Sequence, residues 1–144
     1  MEDSNTLQQG LDQFHKSNTK YFSERSVSKE GEEFLRCHDI AHIVFGCDTT
    51  IYGEGVVKIW ITFGTALGFW KVVNGYNDAS AFELFRMYSF RHLAKNILRY
   101  LLVIPKTILR TKKMTKPWPF LDHKAYLNIP ISEIRKEFNI QILS

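Results

Sequence analysis

The chain has 144 residues, 44% hydrophobic and 14% aromatic, with 24% charged and a formal net charge of +4. That length suits one domain with one core, and 4 Pro with 8 Gly exclude a linker-rich or low-complexity protein. One domain over 1–144 is expected, all-α: a helical bundle with a long central apolar helix and a basic amphipathic helix, and with 1–20 as a loosely packed N-terminal arm.

In chain order, Met1-Glu2-Asp3-Ser4 is acidic and polar, unlike a signal peptide or an Arg-rich transit peptide, so a cytoplasmic location is expected. Leu7, Leu11 and Phe14 fit a short amphipathic helix. Ser28 suits an N-cap ahead of Glu30, Glu32 and Glu33, acids placed where a helix dipole favours them. Phe34, Leu35, His38, Ala41, His42 and Phe45 then recur at helical spacing as an inward stripe, and Gly46 is the expected C-cap. Cys37 and Cys47 are expected as two reduced thiols rather than as a disulfide.

Cys47-Asp48-Thr49-Thr50 is a loop, and residues 51–73, the most apolar segment, are the expected central helix. Only twelve uncharged residues separate Lys58 from Lys71, short of the roughly 20 that a membrane span requires. Gly64 and Gly68, with Thr65 between them, offer a face for a close helix crossing, inside the fold or across a homodimer. After a turn at 74–78, Ser80-Ala81-Phe82-Glu83 has the capping-box pattern and opens a basic helix. Pro105 should interrupt that helix and leave a shorter one at 106–113. Residues 116–120 read as a rigid link anchored by Trp118 and Phe120, and 130–138 as a final helix with Ile131, Ile134 and Phe138 on one face.

Charge is regional. Leu84 to Leu121 holds nine basic residues and no acidic one, against 10 basic and 15 acidic residues elsewhere. The run 86–116, with its interleaved aliphatics, suits an anionic membrane surface; its few aromatics and the lack of a recognised fold motif argue against nucleic acid.

The chemistry concentrates in Cys37-His38-Asp39-Ile40-Ala41-His42 and Gly53-Glu54-Gly55. His38 and His42, four apart, share one helix face, and Glu54 can open the next helix pointing back at them. Two imidazoles and one or two carboxylates are ligands for a divalent metal, zinc first, with iron or magnesium as alternatives. His38, Asp39, His42 and Glu54 are therefore the candidate metal-binding and catalytic residues, Asp39 either ligating directly or orienting an imidazole from behind. Asp39 is one methylene shorter than the glutamate of H-E-x-x-H peptidases and no third histidine follows nearby, which argues against a peptidase. A phosphohydrolase of the HD-domain type would need a further His upstream and an Asp downstream, for which His15 and Asp78 or Asp122 are the only candidates.

The whole pattern, His38-Asp39-x-x-His42, eleven residues, Glu54, resembles the signature of the coenzyme Q biosynthesis protein 4 family. Gly53-Glu54-Gly55-Val56-Val57-Lys58-Ile59-Trp60 and Ile131 to Ile140 are similar to that family's segments after the loop and at the C-terminus, and the likeness covers about Tyr21 to Leu143. The resemblance implies an all-helical fold and a divalent metal at His38, Asp39, His42 and Glu54. It further implies a peripheral place on the inner face of the membrane where ubiquinone is made, organisation of other biosynthetic proteins, and oxidative removal of the C1 carboxyl group of a polyprenylated benzoquinone precursor. The chain is shorter than the mitochondrial members, which puts the assembly role more in question than the metal site. Trp60, Phe63, Phe69, Trp70, Tyr88, Tyr100 and Leu101 could line a groove for the prenyl tail, with plain core packing the expectation for any one of them taken singly. The metal is expected to activate oxygen or water, or to polarise the ring's phenolate. The competing expectation is a non-catalytic, metal-stabilised lipid-binding scaffold.

Overall fold

Residues 4–18, 29–68, 70–72, 74 and 90–143 are described by the computed structural model. Five α-helices are seen among them: α1 (Leu7–Ser17), α2 (Lys29–Phe45), α3 (Ile51–Gly64), α4 (Phe90–Thr111) and α5 (Ile131–Glu137), with a 3-10 turn at His123–Tyr126. No strand occurs among the described residues, so the protein is all-α. Ser28, the turn at 75–78 and the capping box at Ser80–Glu83 lie outside the described residues, as do Tyr21, Phe69 and Tyr88.

The buried centre is α2. Every residue from Cys37 to Phe45 is buried, and α1, α3 and α5 all pack against this helix. The apolar helix expected over 51–73 is shorter than its composition suggests, because α3 closes at Gly64 and Thr65 turns extended. There the Gly64 carbonyl accepts from Trp118 N–H at 2.9 Å, and Thr65 pairs with Trp118 in an isolated bridge. Trp118 and Phe120 are the buried anchors of the 116–120 link. Gly64 is an internal crossing: a Cβ there would sit 3.3 Å from Thr111 Cγ2 and Met114 Sδ, so its lack of a side chain lets the end of α4 approach.

Helix α1 is docked rather than loose. Leu7 and Leu11 are buried, and Thr6 and Gln9 form a reciprocal capping box. The first free N–H groups of α1 donate to the carbonyls of Ile129 and Leu127, while Asn5 accepts from Ile131 N–H at the start of α5.

Helix α4 runs through Pro105 without a break, where an interruption was expected. The carbonyl that loses its partner is that of Leu101, one turn back. Leu101 and Pro105 are both exposed, so this is the side of the helix where water can take the missing donor's place. In α5, Ile131, Ile134 and the following Phe138 are buried, and Arg135 reaches back to α2, donating to Val44 O at 3.0 Å and Ile43 O at 2.8 Å. A cation on the last carbonyls of α2 suits both their unmet hydrogen bonds and the dipole. No described helix is long and apolar enough to cross a membrane.

Candidate metal centre

The site begins with how α2 ends. Gly46 adopts φ +65°, a conformation that costs glycine little, and the turn closes with Gly46 N–H donating to Ile43 O and Cys47 N–H donating to His42 O at 2.9 Å. This Schellman turn swings the Cys47 carbonyl to 3.2 Å from His42 Nδ1. A carbonyl only accepts, so this contact calls for a proton on His42 Nδ1, and in the neutral ring Nε2 is then a lone pair.

The loop then starts α3. Thr50 is the N-cap, its hydroxyl accepting from Gly53 N–H at 3.1 Å, and Asp48 holds Thr50 by accepting from its N–H at 3.0 Å. Gly53 is required by space: a Cβ would fall on the carbonyl and carboxylate oxygens of Asp48. The next residue, Glu54, lies in the first turn, where the positive end of the dipole favours a carboxylate. One turn past the site, Phe45 of α2 stacks flat on Trp60 of α3 at 4.7 Å and fixes the two helices against each other.

These constraints bring His38, His42 and Glu54 together. Glu54 Oε1 lies 3.1 Å from His42 Nε2, and Oε2 lies 3.5 Å from His38 Nε2. The two rings meet edge to face at 4.7 Å, and one ligand atom from each of the three residues falls within 4.8 Å of the others. The histidine side chains are 2% or less exposed and that of Glu54 is 12% exposed. Around a tetrahedral ion with ligands near 2.05 Å, neighbouring ligand atoms stand about 3.3 Å apart; the two contacts, each to a different oxygen of Glu54, lie on either side of that value, and one ligand atom per residue spreads over up to 4.8 Å. His42 Nε2 and Glu54 Oε1 are moreover two acceptors facing each other, an arrangement that needs a cation, either a ring proton or a metal. The residues present fit a divalent ion.

Electrostatics agree. Burial pushes the His38 pKa below 6.5, which favours the neutral, ligating imidazole. Burial would raise Glu54, but the hydrogen bond with His42 and the charges of His38, His42 and Lys58 outweigh it and bring the carboxyl down to about 2. Lys58 Nζ is 3.8 Å from Glu54 Oε2, one turn along α3, and burial lowers its pKa. Cys37 and Cys47 are free, and burial, with acidic neighbours, raises both thiols to about 12, so neither supplies a thiolate.

Asp39, expected either to ligate directly or to orient an imidazole from behind, lies outside the group that could hold an ion. Its Oδ1 faces His38 Nδ1 at 3.8 Å, on the other side of the ring from Glu54, and its Oδ2 is 3.2 Å from His15 Nε2. The physical reason is helical: neighbours in sequence diverge by about 100°, so Asp39 cannot share the histidines' face. Sequence reasoning also missed α1 as the site's outer wall. Phe14 stacks on His42 at 5.5 Å, and Asn18 links the end of α1 to Thr49. The signal available was the continuation of Leu7, Leu11 into Phe14 and His15 at helical spacing.

His15 thus meets Asp39 and is not part of the group that could hold an ion. Asp122 is exposed ahead of the 3-10 turn and Asp78 lies outside the described residues, so the described residues do not assemble an HD-type phosphohydrolase site. Of the expected tail-groove residues, Trp60 belongs to the core, whereas Phe63, Trp70 and Leu101 are exposed. A separate groove of about 420 Å³ is lined by Tyr52, Arg99, Leu102, Val103, Lys106 and Leu143.

Comparison with protein-family models, curated proteins and solved structures finds no match. The resemblance to the coenzyme Q family rests on the quoted residues alone.

Proposed function

We propose that the protein is a metal-centred enzyme of ubiquinone biosynthesis that takes a polyprenylated, ring-carboxylated precursor and, with dioxygen as the two-electron oxidant, releases the C1 carboxyl group as carbon dioxide while a hydroxyl takes its place on the ring. The observation that carries this reading is the convergence of His38 and His42 on the carboxylate of Glu54 in an almost dry site. When bound, a divalent ion would supply Lewis-acid or, as iron, redox chemistry at the positions the three ligands leave open. The chain's own part is to favour the neutral imidazole of His38 by burial, to keep Glu54 ionised and to place the Lys58 ammonium beside it, where an anionic substrate group is favoured.

The groove of about 420 Å³ is lined by Tyr52, Leu102, Val103 and Leu143 together with two cations, Arg99 and Lys106, which suits an anion with a greasy tail. On α4, Leu101, Leu102, Pro105 and Leu109 fall within an arc of about 100° at 3.6 residues per turn, bordered by Arg99 and Lys106. All six are exposed, and this face suits the surface of an anionic bilayer, as a peripheral protein would need. Other biosynthetic proteins and a second copy of the chain are the further partners of this reading. The near-complete burial of both histidines favours, as a second reading, a closed metal centre that stabilises a lipid-binding scaffold without turnover.

The test is metal content by plasma mass spectrometry on protein purified without oxygen, beside His38→Ala and Glu54→Ala, followed by release of carbon dioxide from a prenylated hydroxybenzoate. Near-stoichiometric metal lost in both variants, with turnover, supports the enzyme. Metal without turnover supports the scaffold, and a metal-free parent overturns both.

A further inference from the structure

The outer wall of the centre is built by one short stretch of α1. Phe14 lies against the ring of His42, His15 Nε2 stands 3.2 Å from Asp39 Oδ2, and Asn18 binds the α2–α3 loop through Thr49. Asp39 in turn faces the outer nitrogen of His38 at 3.8 Å. A carboxylate only accepts, so the His15–Asp39 bond requires the proton on His15 Nε2. Side chains of adjacent helical residues point apart, so α2 by itself does not aim Asp39 at the ring of His38. The bond from His15 ties the other oxygen of Asp39 to α1.

We propose that His15 is a positioning residue of the metal centre: by donating to Asp39 it holds the carboxylate that orients His38, so α1 forms the outer layer of the ligand shell. The inference rests on the metal reading above and deepens it. Metal-bound histidines regularly donate their second ring nitrogen to a carboxylate or a carbonyl, and removing such partners costs about 10- to 100-fold in metal affinity. His42 has its partner in the Cys47 carbonyl. For His38 the facing carboxylate is Asp39, at 3.8 Å a charge contact rather than a hydrogen bond, and the further link from His15 starts on a side chain 43% exposed, where an ion pair adds little to stability. A purely structural contact would leave metal affinity alone.

The experiment is a zinc titration of the full chain against a chromophoric chelator, with His15→Phe, His15→Gln and His15→Ala beside the parent. Circular dichroism checks the fold, and the absorption spectrum of the cobalt-loaded proteins reports ligand geometry. Phenylalanine keeps a ring and loses the donor; glutamine carries an amide nitrogen at the reach of Nε2. The expected result is zinc affinity about 10- to 100-fold weaker in the Phe and Ala variants with the fold unchanged, an altered cobalt spectrum, and recovery of most of the affinity in the Gln variant. Parent-like affinity in the Phe variant, or a Gln variant as weak as Ala, overturns the role of His15 and leaves the metal centre standing. A parent that binds no zinc or cobalt overturns the centre and this role together.

Discussion

Helix α2 holds His38, Asp39 and His42 at 1–2% exposure, whereas α4 leaves Leu101, Leu102 and Leu109 61–72% exposed. Each helix reverses the usual partition of polar and apolar side chains, and each reversal costs stability unless something outside the helix compensates. In α2 the compensation is local and geometric: a Schellman turn, a capped loop and one carboxylate that meets both imidazoles. In α4 the compensation proposed above lies outside the chain, in a lipid surface. If the comparison is sound, changes near α2 should register in folding and metal binding, and changes on the α4 face should not.

The largest effect should come from Gly53→Ala. The added methyl meets the backbone and carboxylate of Asp48, so the loop must shift and carry Glu54 off the histidines. A loss of about 3 kcal/mol in urea unfolding is expected, with metal binding lost as well. An Ala variant of parental stability and metal content would mean that the loop does not set Glu54.

Metal should come next. At 100 times its dissociation constant a ligand confined to the folded state adds about 2.7 kcal/mol, which for a domain of this size raises Tm by about 8 °C. The shift should vanish on chelation and in His42→Ala, yet persist in variants of the α4 leucines. A zinc-induced shift retained in His42→Ala would remove the histidine pair from the centre.

What was legible in the sequence follows the same division. His38, His42 and Glu54 could be read because their geometry is local: two residues one turn apart, then a loop whose threonines cap the next helix. The place of Asp39 was open because adjacency in sequence does not say which side of an imidazole a carboxylate takes; its bond to His15 lies 24 residues away. The docking of α1 depends on carbonyls of residues 127 and 129, far along the chain, and the end of α3 depends on Trp118. Pro105 was read by its local rule, which fails where the orphaned carbonyl sits on an exposed side. Local chemistry was visible in the sequence; long-range pairing was not.

A smaller effect is expected from pH on the metal-free protein. His38 has a folded pKa below 6.5, so the unfolded chain takes up a proton that the folded chain refuses. Stability is therefore complete above about pH 6.5 and falls as pH drops toward the folded value, with a slope of at most about 1.4 kcal/mol per pH unit for one group. Glu54 adds its own loss only lower down, as pH falls from 4.5 toward about 2. Chemical denaturation at pH 7.5, 6.5 and 5.5 should show this decline, and His38→Asn should flatten it. An equal slope in the variant would place the responsible proton elsewhere.

The smallest effect on folding, and the sharpest test of the contrast, is Leu101→Gln, Leu102→Gln and Leu109→Gln together. Exposed positions of this kind change stability by less than about 0.5 kcal/mol each, and none of the three lies in the buried core. Zinc affinity should be untouched. Sedimentation with vesicles of mixed neutral and anionic lipid should fall, because the apolar arc supplies insertion while Arg99 and Lys106 supply attraction of about 1 kcal/mol per cation near the surface. Raising the salt should weaken the parent's binding and leave little for the variant to lose. If the triple variant instead unfolds, α4 is packed by these leucines in solution and its exposed face is not a docking face. If it folds and still binds vesicles like the parent, the attraction is charge alone, and the reversal seen in α4 belongs to a contact with another protein.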